Sequence, residues 1–155
     1  MIKTYFFDSS ALVKRYINEK GSVRVREITA PETGNTVIIS RITWVEVLSA
    51  FARLKRESKI DSAYVAAAVQ MFRYDLDTFF KVIETGRIII EKAGEYVQKH
   101  PLRAYDSVQL ASAMVLYPFF LHINSEIFIF VSSDDRLTNA ARKEGLVTEN
   151  PNNYP

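Results

Sequence analysis

Residues 2–16 read IKTYFFDSSALVKRY. Ile2 to Phe7 is short, apolar and aromatic, which reads as a buried strand. Asp8 follows at once, and Ser9 and Ser10 can cap a helix over Ala11–Ile17. A strand that ends on a carboxylate and turns directly into a helix sets the pattern for the rest of the chain.

That pattern repeats outward from this stretch. A helix is expected over Ser22–Thr29, then a loop at Pro31, Gly34 and Asn35. TVIIS at 36–40 reads as a second strand, and Ile42–Arg56 as a helix apolar around most of its circumference. Asp61 caps a long helix running to about Lys81. Gly86 breaks it, and RIII at 87–90 reads as the third strand. Lys92–Lys99 is helical and stops before Pro101. Ala104–Leu116 is a helix rich in small residues. IFIFV at 127–131 is the fourth strand, and Asp135–Glu144 a helix stopped by Gly145. Leu146–Thr148 is a short last strand, and 149–155 an irregular tail. Apolar strands alternating with helices predict an α/β fold with a mostly parallel central sheet of four to five strands. No repeat or linker divides the chain, so residues 1–155 are expected to form one domain.

The composition fits. The 155 residues are 48% hydrophobic and 25% charged, with only 5 Gly and 5 Pro, which excludes a disordered or collagen-like chain. There is no Cys, which excludes a disulfide scaffold, thiolate zinc and a cysteine nucleophile. The apolar N-terminus meets Asp8, Lys14 and Arg15 too soon for a secretory signal. Met114–Ile123 is too short to span a bilayer and carries Pro118 and His122. The expectation is a soluble, cytoplasmic protein with no membrane partner.

The net charge of +2 is unremarkable, but its distribution is uneven. Residues 1–60 carry 11 Lys/Arg against 6 Asp/Glu, and residues 61–155 carry 9 against 12. A basic half could face phosphates. Equally, Arg53, Lys55, Arg56 and Lys59 could simply solvate a helix end, and charge alone favours that reading.

Open parallel sheets bind ligands at the carboxyl ends of their strands. Four carboxylates fall there. Asp8 follows strand one and is either a ligand or a capping residue. Glu46 lies early in the helix after strand two, and is either a site residue, a solvated glutamate or a partner of Arg53. Asp106 shares a helix face with Leu110 and Ala113, where an unpaired carboxylate is costly; a first-turn interaction with the helix dipole is the alternative. Asp134 stands three residues after strand four. Taken together, oxygen-only ligands suit Mg²⁺ or Mn²⁺ over zinc or copper. Such a site can acidify a water and stabilise charge on a phosphoryl centre.

Other chemistries find little support. His100 and His122 show no metal-ligand spacing and read as surface or turn residues. No GxGxxG, Walker or GxSxG motif is present. A dehalogenase-type phosphatase needs Asp-x-Asp after strand one, where this chain has Asp8-Ser9-Ser10. A receiver domain needs an Asp ending strand three, where the expected strand ends Ile90-Glu91.

FFDSSALVKRY, ITWVEVLSAF, PLRAYDSVQLASA and FIFVSSDDRLTNAARKEGL stand in the order and spacing of PIN-domain ribonucleases. The chain most resembles VapC-type toxins of toxin–antitoxin pairs, over nearly its whole length, and LRAYDSVQLASA is the most specific motif. The resemblance implies a three-layer α/β/α fold and a Mg²⁺- or Mn²⁺-dependent ribonuclease. It implies that Asp8, Glu46, Asp106 and Asp134 form the acidic site. Asp8 and Asp106 would be the principal metal ligands and Asp134 would complete the set, while Glu46 would position the metal or the attacking water. Ser10 and Ser132 would orient carboxylates or contact substrate. The implied partners are an RNA substrate such as tRNA, a small antitoxin covering the site, and a second copy in a homodimer. Asp61–Glu84 and Met114–Ile123, the latter an apolar run before a short loop, are longer than in compact members and bear on partner contacts rather than chemistry. The alternatives are a housekeeping RNA-processing nuclease and a silent PIN domain that only binds RNA or protein.

Asp134 and Asp135 are adjacent, and helix phase separates them. The following helix buries Leu137, Ala140 and Ala141. At about 100° per residue, Asp134 projects roughly 70° from that stripe and Asp135 roughly 170°. In an RNA-cleavage assay with titrated cation, Asp134→Asn is expected to lose most activity and need far more cation, while Asp135→Asn stays near wild type. The opposite pattern would reverse the assignment.

Overall fold

The computed structural model describes residues 1–123 and 127–155. Five strands, β1 (Thr4–Phe7), β2 (Thr36–Ser40), β3 (Lys81–Ile83), β4 (Phe128–Val131) and β5 (Val147–Glu149), form one sheet in the order β3-β2-β1-β4-β5. Every pairing is parallel, with Phe7 opposite Ile39 on one side and Val131 on the other. β1, β4 and most of β2 are buried on both faces, which is why they read as unbroken apolar runs.

Among the described residues seven α-helices cover the sheet: α1 (Ser9–Tyr16), α2 (Ser22–Ile28), α3 (Thr43–Arg56), α4 (Ser62–Thr78), α5 (Arg87–Lys99), α6 (Ala104–Leu121) and α7 (Asp135–Lys143). Alternation along the strands divides the core in two. Tyr5, Phe7, Val37, Ile39, Ile129 and Val131 pack against α1 to α4. Phe6, Ile38, Phe128 and Phe130 pack against α5 to α7. The architecture is the expected three-layer α/β/α sandwich. Each buried Phe or Leu contributes about 1.5–3 kcal/mol over its exposed state.

The third strand is a correction. RIII at 87–90 is the first turn of α5, and β3 lies earlier, at Lys81–Ile83. A short apolar run is ambiguous between strand and helix. Here burial at Ile89, Ala93 and Tyr96 follows helical spacing, while Ile88 and Ile90 face outward at 73% and 51% exposure. Gly86 is the N-cap of α5. The receiver reading still fails, because β3 is followed by Glu84, an exposed partner of Arg41. The long helix from Asp61 ends at Thr78, and α6 runs through Pro118 to Leu121. The short loop expected after Ile123 falls on 124–126, outside the described residues.

Two helix ends bear on the site. Asp8, rather than Ser9 or Ser10, caps α1 through the backbone N–H of Ala11. α7 ends at Gly145, φ 96°, with Leu146 N–H bonded to Ala141 and Gly145 N–H to Arg142, the two bonds of a Schellman motif. That ending turns the chain back into β5.

β1 lies at the centre of the order. From it the chain builds outward to β2 and β3, then returns to the other side for β4 and β5. The switch point is therefore the crevice beyond the carboxyl ends of β1 and β4, where open parallel sheets place their ligands.

Candidate active site

The four predicted carboxylates come from the amino-terminal ends of four helices. Asp8 is the N-cap of α1, Glu46 and Asp106 lie in the first turns of α3 and α6, and Asp134 is the N-cap of α7. Helix N-termini carry partial positive charge, so each acid sits where a negative group is best tolerated.

Asp8 is the deepest, at 2% exposure. Its Oδ1 accepts from Ala11 N–H at 2.9 Å, and its Oδ2 accepts from Ser132 Oγ at 2.7 Å. Ser10 Oγ lies 2.8 Å from both oxygens. Ser10 Oγ in turn accepts from Ser133 N–H at 3.0 Å, and Ser132 Oγ from Asp134 N–H at 3.1 Å. The two serines therefore fasten the loop after β4 to the end of β1. Burial raises the Asp8 pKa to about 7; the hydrogen bonds from Ser132, Ala11 and Ser10 oppose that rise, and the charge of Glu46 adds to it.

Glu46 is half-buried. Its Oε1 accepts from Gln109 Nε2 at 2.7 Å and its Oε2 from Ser9 Oγ at 3.2 Å. It is not paired with Arg53, and it is not simply solvated. Burial pushes its pKa up, with a further push from Asp106. Asp106 is raised by burial and then by Asp134, against the opposing pull of Arg103. Asp134 Oδ1 accepts from Arg136 N–H at 2.9 Å. Asp135 is exposed and bonds Asn150 on the tail.

Ser9, Ser10, Glu46, Asp106, Ser133 and Asp134 line a cleft of about 690 Å³, with Asp8 beneath its floor. Lys14, Arg53 and Arg103 stand around it. Lys14 is buried and paired with Glu19; Arg53 and Arg103 are exposed. Of the basic run at the end of α3, Lys55, Arg56 and Lys59 are exposed as a solvated helix end would be, and only Arg53 reaches the cleft. His122 is exposed as expected. His100 is not: it is buried at the end of α5, with Nε2 2.9 Å from Glu144 Oε1.

The donor set fits a hard divalent cation in its chemistry. It is all oxygen, and three of its acids are held toward their protonated forms by burial and mutual repulsion, a condition a cation relieves. In spacing it is not pre-gathered: among the described residues no three His, Asp or Glu side chains stand close enough to share an ion. Ser9 and Gln109 are the members that sequence reasoning missed. Gln109 lies three residues after Asp106, and a long polar side chain on a mostly apolar helix was its only signal.

Known proteins share this fold. The PIN domain family matches residues 5–143. Ribonuclease VapC45 of Mycobacterium tuberculosis (strain CDC 1551 / Oshkosh) is 28% identical over 111 residues, covering 72% of this chain and 75% of that protein. Among solved structures, VapBC2 from Rickettsia felis bound to a DNA fragment from their promoter aligns with a TM-score of 0.61 at 15% identity, over 95% of this chain and 98% of that one. VapC20 of Mycobacterium tuberculosis, a sarcin–ricin loop cleaving toxin, aligns at 0.61 and 18% identity, over 92% and 96%. These two structures share the fold. No helix among the described residues is long and apolar enough to cross a membrane.

The burial of Asp8 makes stability pH-dependent. Its folded pKa, about 7, lies above its unfolded value near 3.9, so the folded chain binds the extra proton between these limits. Without divalent cation, unfolding free energy should fall as pH rises from about 4 to 7, by up to about 4 kcal/mol from this group. Asp8→Asn should flatten that slope. Urea unfolding of both proteins across that range measures it, and equal slopes would contradict the origin in Asp8.

Proposed function

This chain belongs to the PIN-domain family, and from that premise we propose that it is a divalent-cation-dependent ribonuclease that hydrolyses RNA phosphodiester bonds. The observation that carries the reading is three carboxylates, Glu46, Asp106 and Asp134, lining one cleft, with a fourth, Asp8, buried behind the cleft-lining Ser10, and three of the four raised in pKa by burial. An acidic cluster of this kind is expensive as mere scaffolding and useful where a cation must be held.

Asp8, Asp106 and Asp134 would hold Mg²⁺ or Mn²⁺, which when bound lowers the pKa of a water and stabilises charge on the phosphoryl group. Asp8 accepts from Ala11 N–H, Ser10 Oγ and Ser132 Oγ, three donors that fix the orientation of its carboxylate. Glu46, held by Gln109 and Ser9, orients the attacking water. Arg53 and Arg103 meet neighbouring phosphates, which positions the strand without reading its sequence. The substrate is RNA, with structured RNAs such as tRNA as candidates.

The chain acts as the toxin of a toxin–antitoxin pair in the cytoplasm, as a homodimer. In support, curated relatives are named VapC ribonucleases, and a solved neighbour is a toxin–antitoxin complex from Klebsiella pneumoniae. The antitoxin covers the cleft, and an Arg or Lys from it answers the acidic cluster in place of the cation.

A silent binding module is the second reading. It draws on one observation, the absence of three acids at ligating distance among the described residues.

RNA cleavage by the purified protein decides between the two. Activity should require Mg²⁺ or Mn²⁺ and vanish on chelation. Asp106→Asn should reduce it by orders of magnitude while unfolding stays cooperative. Full activity in Asp106→Asn would sink the site assignment, and no cleavage by wild type at any cation concentration would favour the silent module.

A further inference from the structure

Glu46 and Asp106 face the same cleft and repel one another. Among the described residues no basic side chain pairs with Glu46. Two neutral donors hold it instead, and the shorter bond comes from Gln109 Nε2 at 2.7 Å. Gln109 lies on α6, three residues after Asp106, and is 1% exposed. Its Nε2 also donates to Thr43 Oγ1, in the first turn of α3, at 2.9 Å. Both amide protons are thus directed at α3. Its Oε1 is buried without a partner.

That orphan oxygen is informative. A buried acceptor left unmade is unfavourable, and an apolar side chain of similar volume would fill this place without it. Turning the amide over does not help, because its oxygen would then face the Glu46 carboxylate. The amide sits in the one orientation that serves an ionised Glu46.

We propose that Gln109 is a positioning residue of the site, holding the Glu46 carboxylate in place against Asp106. One turn of α6 then supplies one acid and fixes a second. This rests on the ribonuclease reading insofar as Glu46 serves RNA cleavage; the placement of Glu46 can be tested without it.

Gln109→Leu removes the amide and keeps the volume, and Gln109→Met serves if leucine disrupts packing. The orphan oxygen leaves with the amide, but Glu46 Oε1 and the buried Thr43 Oγ1 each lose a donor, so the thermal midpoint should fall modestly while unfolding stays cooperative. The kcat for RNA cleavage should fall 10- to 100-fold, the range found when outer partners of site ligands are removed, with KM within about twofold. In a Glu46→Ala background the same substitution should change kcat less than about twofold, since no carboxylate remains to position. Wild-type kcat in the single variant, or an equal fall in both backgrounds, would overturn the proposal. If wild type cleaves no RNA, the ribonuclease reading fails separately, and a crystal structure of Gln109→Leu decides the role of Gln109. Departure of the Glu46 carboxylate from its wild-type position would support the proposal, and an unmoved carboxylate would overturn it.

Discussion

Everything at the crevice depends on a carboxylate taken out of water at the end of the central strand. Asp8 cannot leave β1, and its oxygens are the point at which β1, α1 and the loop after β4 are joined. Burial alone would make that carboxylate very unfavourable in its charged form. Three donors and the N-terminus of α1 make it tolerable, but they do not restore its ordinary acidity, and its pKa stays near 7. Glu46 and Asp106 share the same condition in weaker form: each is partly buried in the first turn of a helix, and each feels a neighbouring carboxylate. Four helix dipoles point positive ends at one crevice, yet they leave it short of positive charge. A cation, or a basic side chain from a partner, is the natural complement.

The topology explains why the acids come to one end of the sheet. The switch in strand order leaves a gap in the helical cover beyond β1 and β4, and α3 and α6 border that gap from opposite layers of the sandwich. Backbone geometry therefore sets which four helix starts face one another. Ser10, Ser132, Ser9 and Gln109 then hold individual carboxylates within that frame.

Most of this frame was legible in the sequence because doubly buried strands announce themselves. Tyr5-Phe6-Phe7, Val37-Ile38-Ile39 and Phe128-Ile129-Phe130 have no polar alternation to confuse them. Positions at strand ends then pointed to Asp8 and Asp134, and an acid on an apolar helix stripe pointed to Asp106. The misplaced third strand had the opposite character. β3 is a three-residue edge strand with Lys81 exposed, so it carries little apolar signal, while three consecutive isoleucines open α5. The partners of the acids were not legible. Gln109 reaches Glu46 across 63 residues of chain, and Ser132 reaches Asp8 across 124. His100 looked like a turn residue because its partner Glu144 lies 44 residues away. Local pattern predicts which face of an element is apolar, and it is silent about which polar pairs the fold brings together.

The most direct measurement is calorimetric titration of the purified protein with Mn²⁺ at pH 7, in two buffers that differ in ionisation enthalpy. A cation that enters a site whose acids still hold protons must displace them. Binding with net proton release, lost in Asp8→Asn, is the predicted result. Absence of binding, or binding with no proton release and no dependence on Asp8, would contradict a cation site built on this buried carboxylate.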